Sequence, residues 1–257
     1  MAVYKNSSIG VGRKSLGENT YKTVRGRVIV SSRILTNTSK TVTQGEQRSA
    51  FGIMGKMGKL LATWIDLTFD QTKYGSKRNH FVKVNTPVMA WLKANKKLSV
   101  TNYLSQVAAA IGEGVPVFAG YGANLADVEC KQNNAELSVS LTFSKRFVEG
   151  DIVKIIVAQS YTKKLPGNNG LSLISHFYST DTYDYVIGAD EIGTNIVSID
   201  KDKVPALATA CKPLASYTQS AIIASAAVIS GKDACQCYFS ALDLYEDPGE
   251  DDRPVIE

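Results

Sequence analysis

The sequence predicts an α+β fold, with an extended N-terminal arm and a long amphipathic helix preceding an antiparallel β-sandwich or barrel. Three observations predict it. Residues 1–42 are polar, glycine-punctuated and without a sustained period. Apolar residues then recur at spacings of three and four up to Phe69, the period of a helix with one buried face. Beyond Val115 the period becomes two, which is that of half-buried strands. At 257 residues the chain can bury a core without covalent staples. The expected divisions are a basic arm (1–42), a helical region (43–112), a β-rich domain (113–245) and an acidic tail (246–257).

The arm carries Gly10, Gly12, Gly17 and Gly26 among the basic residues Arg13, Lys14, Lys22, Arg25, Arg27 and Arg33. Within it, Thr23 to Arg33 is β-branched enough for a strand, with Gly26 marking a bulge or close approach. A polar arm of this kind is expected to order against a neighbour.

The helix begins at Thr43-Gln-Gly-Glu46, which has the form of a capping box. Ala50, Phe51, Ile53, Met54, Met57, Leu60, Leu61, Trp64, Ile65 and Thr68/Phe69 supply one apolar stripe, so a single helix is expected over 44–69, with Arg48, Lys56 and Lys59 off the stripe. Gly52, Gly55 and Gly58 interrupt it at intervals of three. Each should cost about 1 kcal/mol relative to Ala, so a compensating close approach of another backbone is expected there. A basic loop, Lys73 to His80, leads into Phe81-Val-Lys-Val-Asn85, and further helices are expected over 87–97 and 101–111 before Gly112-Glu-Gly114.

In the β-rich part, Leu137, Val139, Leu141 and Phe143 alternate with polar residues, and Gly150-Asp151 precedes a strand at Ile152–Ala158. Further strands are expected over 115–118, 171–177, 182–187, 195–199, 220–229 and 236–244. Short strands separated by Gly, Asn and Asp read as an antiparallel sandwich or barrel.

Charge is distributed unevenly. Residues 1–100 carry 18 Lys+Arg against 4 Asp+Glu, whereas 101–257 carry 11 against 20. Such a chain has surfaces complementary to a second copy of itself, and its basic part is also compatible with nucleic acid. The four cysteines (130, 211, 235 and 237) are too few and scattered for a disulfide framework. Cys235 and Cys237 lack the second pair or histidine that a zinc site needs, so small buried hydrophobes are expected. The first residues have no apolar leader segment, and Ala221–Ile229, the longest apolar stretch, is too short to span a bilayer.

No motif supports an enzyme. Gly10-Val-Gly-Arg-Lys-Ser15 has Arg13 where a phosphate loop needs glycine, and Gly55-Lys56 lies inside the helix without a following Ser or Thr. His80 and His176 have no neighbouring ligands or orienting partners in sequence. Asp181/Asp184, Asp190/Glu191 and Asp200/Asp202 read as solvated turn carboxylates. Neither a cofactor nor a metal is expected. Tyr21, Tyr74, Phe81 and Trp91 lie among lysines and arginines, which keeps a nucleic-acid-binding accessory role as the alternative.

The run Gly12-Arg-Lys-Ser-Leu-Gly17, Thr23-Val-Arg-Gly-Arg-Val-Ile29 and Thr43-x-x-Glu-Gln-Arg48-x-x-Phe51, followed by Phe81-x-x-x-Asn85, resembles structural proteins of phages and prophages of gut bacteria. These include the crAss-like phages. The resemblance covers about residues 10–85, and the Asn-Pro often seen before the helix is replaced by Thr38-Ser-Lys-Thr-Val42. It implies a non-enzymatic virion component, made in the host bacterial cytoplasm and placed in the tail, neck or collar. The implied partners are further copies in a homo-oligomeric ring, other virion proteins and DNA as a side contact, with no membrane. The interface residues expected are Arg13, Lys14, Arg25, Arg27 and Arg33 on the arm, with Gly52, Gly55 and Gly58 on the helix.

Overall fold

The computed structural model describes residues 2–4, 14–16, 19–25, 27–33, 41–70, 75–166, 172–230 and 235–244. The fold is α+β, and contacts divide it into two compact units, Met1–Gly45 and Glu46–Glu257. The first unit contains β1 (Ala2–Tyr4), β2 (Lys14–Leu16), β3 (Asn19–Val24) and β4 (Arg27–Ser32). The backbone there is extended, but it is not the irregular arm expected. The four strands pair antiparallel with one another in the order β1-β4-β3-β2. The β3–β4 hairpin turns at Arg25, which takes a left-handed φ of 51°, next to Gly26.

The long helix is α1 (Val42–Leu60), continued after a distortion at Leu61 (φ −94°, ψ 19°) by α2 (Ala62–Thr68). Its start lies earlier than the expected capping box. The Thr41 hydroxyl accepts from the Gln44 N–H at 3.3 Å, while Glu46 forms an ion pair with Lys96 instead of reaching back to Thr43. The buried seam runs through Ala50, Ile53, Met54, Met57, Leu61, Trp64, Ile65 and Thr68. Phe51, expected on that stripe, is 56% exposed, because it lies about 100° round the helix from Ala50.

The second half of the segment expected as a basic loop is helical and opens α3 (Lys77–Val84), capped by Ser76, whose side chain accepts from the Asn79 N–H. Its polar sequence hides the short apolar face, Phe81 and Val82, that the core recruits. Then come α4 (Thr86–Ala94), with proline in its first turn, a 3₁₀ turn over Val100–Asn102, and α5 (Tyr103–Gly112).

The β-rich part contains β5 (Phe118–Gly120), β6 (Asn124–Asn133), β7 (Glu136–Phe143), β8 (Ile152–Pro166), β9 (Ser172–Val186), β10 (Ile196–Ile199), β11 (Thr218–Ile229), β12 (Cys235–Tyr238) and β13 (Ser240–Leu242). One sheet runs β10-β7-β6-β12-β5 and the other β13-β11-β8-β9. Pairing is antiparallel except between β12 and β6, where Cys235 and Gln236 lie parallel to Asn124 and Leu125. The two strands expected over 171–177 and 182–187 are one continuous strand, β9. β6 was not expected, since its outer half carries Glu129, Lys131 and Gln132 on a weakly apolar pattern.

A single core joins helices and sheets, drawing on Trp64 and Phe81 from the helices and on Val139, Ile155 and Ile223 from the strands. The helical region and the β-rich region therefore share their buried surface. Their seam is at β5. Asn85, fully buried, accepts from the Phe118 N–H at 2.8 Å and donates to the carbonyls of Phe118 at 3.3 Å and Phe81 at 3.1 Å. Trp64 Nε1 and Thr68 Oγ1 both donate to the Ala119 carbonyl, at 2.8 and 3.0 Å. These side chains bind the flank of β5 as a further strand would.

Replacing Asn85 by Ala leaves the Phe118 N–H and C=O without those partners in the interior. The expected loss is about 3 kcal/mol, read as a lower denaturant midpoint with an unchanged slope. Two glycine substitutions should act in opposite directions. At Gly55 an added Cβ meets nothing within 4 Å, so Gly55→Ala should stabilise by about 1 kcal/mol through helix propensity. At Gly120 it would lie 2.5 Å from the Cys235 carbonyl oxygen, so Gly120→Ala should destabilise by about 2 kcal/mol.

Candidate functional site

The residues expected at an interface fall into two groups. On the N-terminal unit, Arg13 lies outside the described residues and Lys14 opens β2. Arg25 occupies the hairpin turn, and Arg27 and Arg33 are exposed at the start and just beyond the end of β4. The turn of a two-stranded hairpin therefore places Arg25 and Arg27 together. Lys22 on β3 lies opposite Ile29 on β4 and is also exposed.

On α1, among the described residues, no backbone is among the nearest atoms that a Cβ at the three glycines would meet within 4 Å. A Cβ at Gly52 would meet the Val100 side chain at 3.6 Å, and one at Gly58 would meet Arg78 Cγ at 3.3 Å and Phe81 at 3.5 Å. Side chains thus fill the space at two of the three positions. At Gly55 a Cβ would meet nothing within 4 Å, and the carbonyl there accepts from Arg78 Nη2.

Much of the positive charge expected to be available on residues 73–97 is used internally. Lys77 Nζ donates to the Asp66 carbonyl, Arg78 to the Gly55 carbonyl, and Lys93 Nζ to Gln47 Oε1 at 2.7 Å. Lys96 holds Glu46, and Lys97 lies over the Trp91 ring. Phe81, weighed as a stacking platform for bases, is fully buried and packs edge-on against Phe69. Tyr74 lies outside the described residues.

His80 sits at the helix–sheet seam, with Nδ1 2.9 Å from the Asp70 carbonyl and its ring edge-on to Phe69 and Tyr121. His176 lies on β9 opposite Thr162. With Asn102, Lys163, Lys164, Ile174, Ser216 and Thr218 these two residues line an open cleft of about 740 Å³, beyond the point where α5 begins.

The acidic pairs separate. Asp181 is exposed on β9, and Asp184 pairs with Lys154 at 2.6 Å. The carboxylate of Asp200 accepts from the N–H groups of Asp202 and Lys203, closing a turn. Glu191, expected to be solvated, is buried. It accepts from Lys203 Nζ at 2.5 Å, Tyr185 Oη at 2.8 Å and the Gly188 N–H at 3.1 Å. Burial alone would raise its pKa, but these three donors outweigh it and hold the carboxyl below its usual range. They fix the loop between β9 and β10.

Cys235 and Cys237 point to the same buried face of β12. The Val228 N–H donates to Cys235 Sγ. The hydrogen bond between the two thiols, together with burial, raises Cys237 well above the ordinary thiol value. Burial also pushes Cys130 and Cys211 up to about 12, which keeps both protonated and weakly nucleophilic. Among the described residues, no three His, Cys, Asp or Glu side chains are grouped so as to hold a metal ion, and no helix is long and apolar enough to cross a membrane.

One exposed strand is a feature that short-range pattern could not disclose. β9 pairs with β8 over Ser172–Val186 and forms the outer edge of its sheet. It exposes Leu173, Ile174, Phe177 and Val186, with 44–62% of each accessible.

The Glu191 cluster yields a pH prediction. A carboxyl with a depressed native pKa contributes stability above its unfolded value, and loses that contribution as pH falls through the native one. Glu191→Gln should therefore lower stability by about 2 kcal/mol near neutrality. The difference from wild type should shrink as pH falls below the ordinary carboxylate range, as measured by urea unfolding across pH.

No family model matches the chain, and no curated protein matches it. Among solved structures, a β-glucosidase from Kluyveromyces marxianus aligns at a TM-score of 0.15 and 10% identity, covering 53% of this chain and 17% of that one. The chain thus spans about a sixth of that enzyme's length, and a likeness this slight carries no argument about fold or chemistry.

Proposed function

We propose that this protein is a non-enzymatic structural subunit that assembles with copies of itself. Its setting would be the one implied by its N-terminal resemblance, a ring in the tail, neck or collar of a bacteriophage particle formed in the host cytoplasm. One observation carries the assembly reading. The N-terminal unit is a four-stranded sheet in which none of the described side chains whose burial is assigned is buried. A small sheet whose assigned side chains on β3 and β4 are half-buried or exposed is marginal alone and gains stability when a face is covered.

Its charge specifies what kind of surface would cover it. Residues 1–45 carry 8 Lys+Arg against 1 Asp+Glu, and residues 46–257 carry 21 against 23. Exposed Asp127, Glu129 and Asp190 on the second unit offer negative ground on a neighbouring copy. Head-to-tail docking of unlike surfaces closes into a ring when the rotation permits. Complementary potentials would steer that docking and set its register.

The second reading, a nucleic-acid-binding accessory protein, draws on the same basic sheet. It is weakened by the internal use of Lys77, Arg78, Lys93 and Lys96 and by the burial of Phe81.

Light scattering of the full chain across salt concentration tests the proposal. The wild type should form species of more than two copies at low salt and lose them as salt rises. A Lys22→Glu, Arg27→Glu, Arg33→Glu triple variant should fall to a dimer or below under all conditions. A wild type that never exceeds two copies overturns the ring, and tight DNA binding by such a species with a steep salt slope would establish the second reading.

A further inference from the structure

We propose that the outer edge of β9 is a two-fold interface, on which β9 of a second copy of this chain pairs antiparallel so that the two β8–β9 sheets become continuous. This deepens the assembly reading above but concerns a different surface, and its test separates the two.

An edge strand presents a row of unpaired backbone N–H and C=O groups, and proteins ordinarily blunt such edges with brevity, charged side chains (lysine above all), proline or a bulge. Of these β9 has only the charges of Asp181 and Asp184, both toward one end. It runs for 15 residues, about 50 Å, and its register with β8 is unbroken. No lysine or proline occurs in it. The other sheet margins of the larger unit are treated differently. β5 is held by Asn85, and β10 and β13 have only 4 and 3 residues.

The occupant is specified by charge and by symmetry. Lys163 and Lys164 lie toward one end of the β8–β9 ladder, and Asp181 and Asp184 toward the other. Antiparallel self-pairing brings the basic end of one copy beside the acidic end of the next, twice. Full overlap of Ser172–Val186 with itself puts Ser179 on the two-fold axis. Phe177 then opposes Asp181 of the second copy, Ile174 opposes Asp184, and Leu173 opposes Tyr185.

Ile174 is itself opposite Lys164 on β8. Lys164 of one copy and Asp184 of the other would therefore share a row two strands apart, about 10 Å between Cα atoms, which a lysine side chain spans. Asp184 holds Lys154 with one oxygen and retains acceptor capacity on the other. The exposed apolar side chains of Leu173, Ile174 and Phe177 would gain cross-strand neighbours on the same contact. A strand from an unrelated protein could use the backbone groups, but the end-to-end charge reversal matches this chain's own edge.

The register can be tested by the sign of a single charge. Phe177 is 44% exposed, so charged replacements there should leave the fold intact, as circular dichroism would check. Glutamate at this position would face the second copy's Asp181, and lysine would attract it. Phe177→Glu should weaken dimerisation at least tenfold by sedimentation equilibrium, and Phe177→Lys should retain it within threefold. A Thr180→Cys chain should cross-link to itself through a short bismaleimide, well above the background from the wild-type cysteines and from a Leu125→Cys control on the other sheet.

The proposal is overturned if Thr180→Cys cross-links no more than the control, or if the two Phe177 replacements weaken association equally. These outcomes are independent of the ring. The triple variant of the basic sheet leaves β9 untouched and should still cross-link through Thr180→Cys, whether or not larger species form.

Discussion

The larger unit depends on how a three-residue strand is held. β5 pairs with β12 on one side, and on the other it meets side chains in place of a strand. Asn85 takes both the N–H and the C=O of Phe118, while Trp64 and Thr68 share the Ala119 carbonyl. The Thr68 carbonyl in turn receives the Tyr121 N–H. Each bond is worth little net in isolation, but the groups are buried and any one left without its partner costs far more than the bond gains. The register of the helices on the sheets is set by this polar contact, and the apolar cluster around it fills in. Gly120 belongs to the same constraint, because the Cys235 carbonyl lies where a side chain would begin.

That seam explains why one stretch of sequence was informative and its neighbour was not. Phe81 and Asn85 stood out as a spaced pair, and both prove fully buried, one packing on Phe69 and the other binding β5. The four residues before Phe81 read as a charged loop because Lys77 and Arg78 dominate them. In the fold those cations lie on carbonyls of the preceding helices, so charge marked a packing contact. The helix stripe was legible from Ala50 to Thr68 because period alone determines it. Phe51 was misplaced because a stripe read from spacing has no sharp margin. The α1 glycines were read as a place for another backbone, yet Val100, Arg78 and Phe81 occupy two of the positions. That space is filled from residues 20 to 50 positions away, which no local pattern registers.

The strands show the same division. Alternation identified β7, and the apolar runs identified β8 and β11, since all three bury a face or both. β9 was read as two strands because its middle, Tyr178 to Asp181, is polar, and β6 was missed for the similar reason that its outer half is wet. Edge position is a property of the whole sheet: whether a strand has one neighbour or two depends on segments far away in the chain. The exposed margin of β9, and the burial of Glu191 beneath Lys203, became visible only once the strands were ordered.

The two proposed surfaces have different symmetry, and this constrains what can be built from them. A contact between the basic sheet and an acidic neighbour joins unlike surfaces, so it propagates until it closes or continues without limit. A contact of β9 with itself uses the same surface twice and is complete at two copies. Were both proposed contacts made, with the two-fold axes through Ser179 perpendicular to the ring axis, they would give two rings face to face with the salt-sensitive contact within each ring. The edge contact would rest mainly on backbone hydrogen bonds, which ionic strength screens little. Raising salt should therefore take the assembly apart in a fixed order, rings first and dimers last.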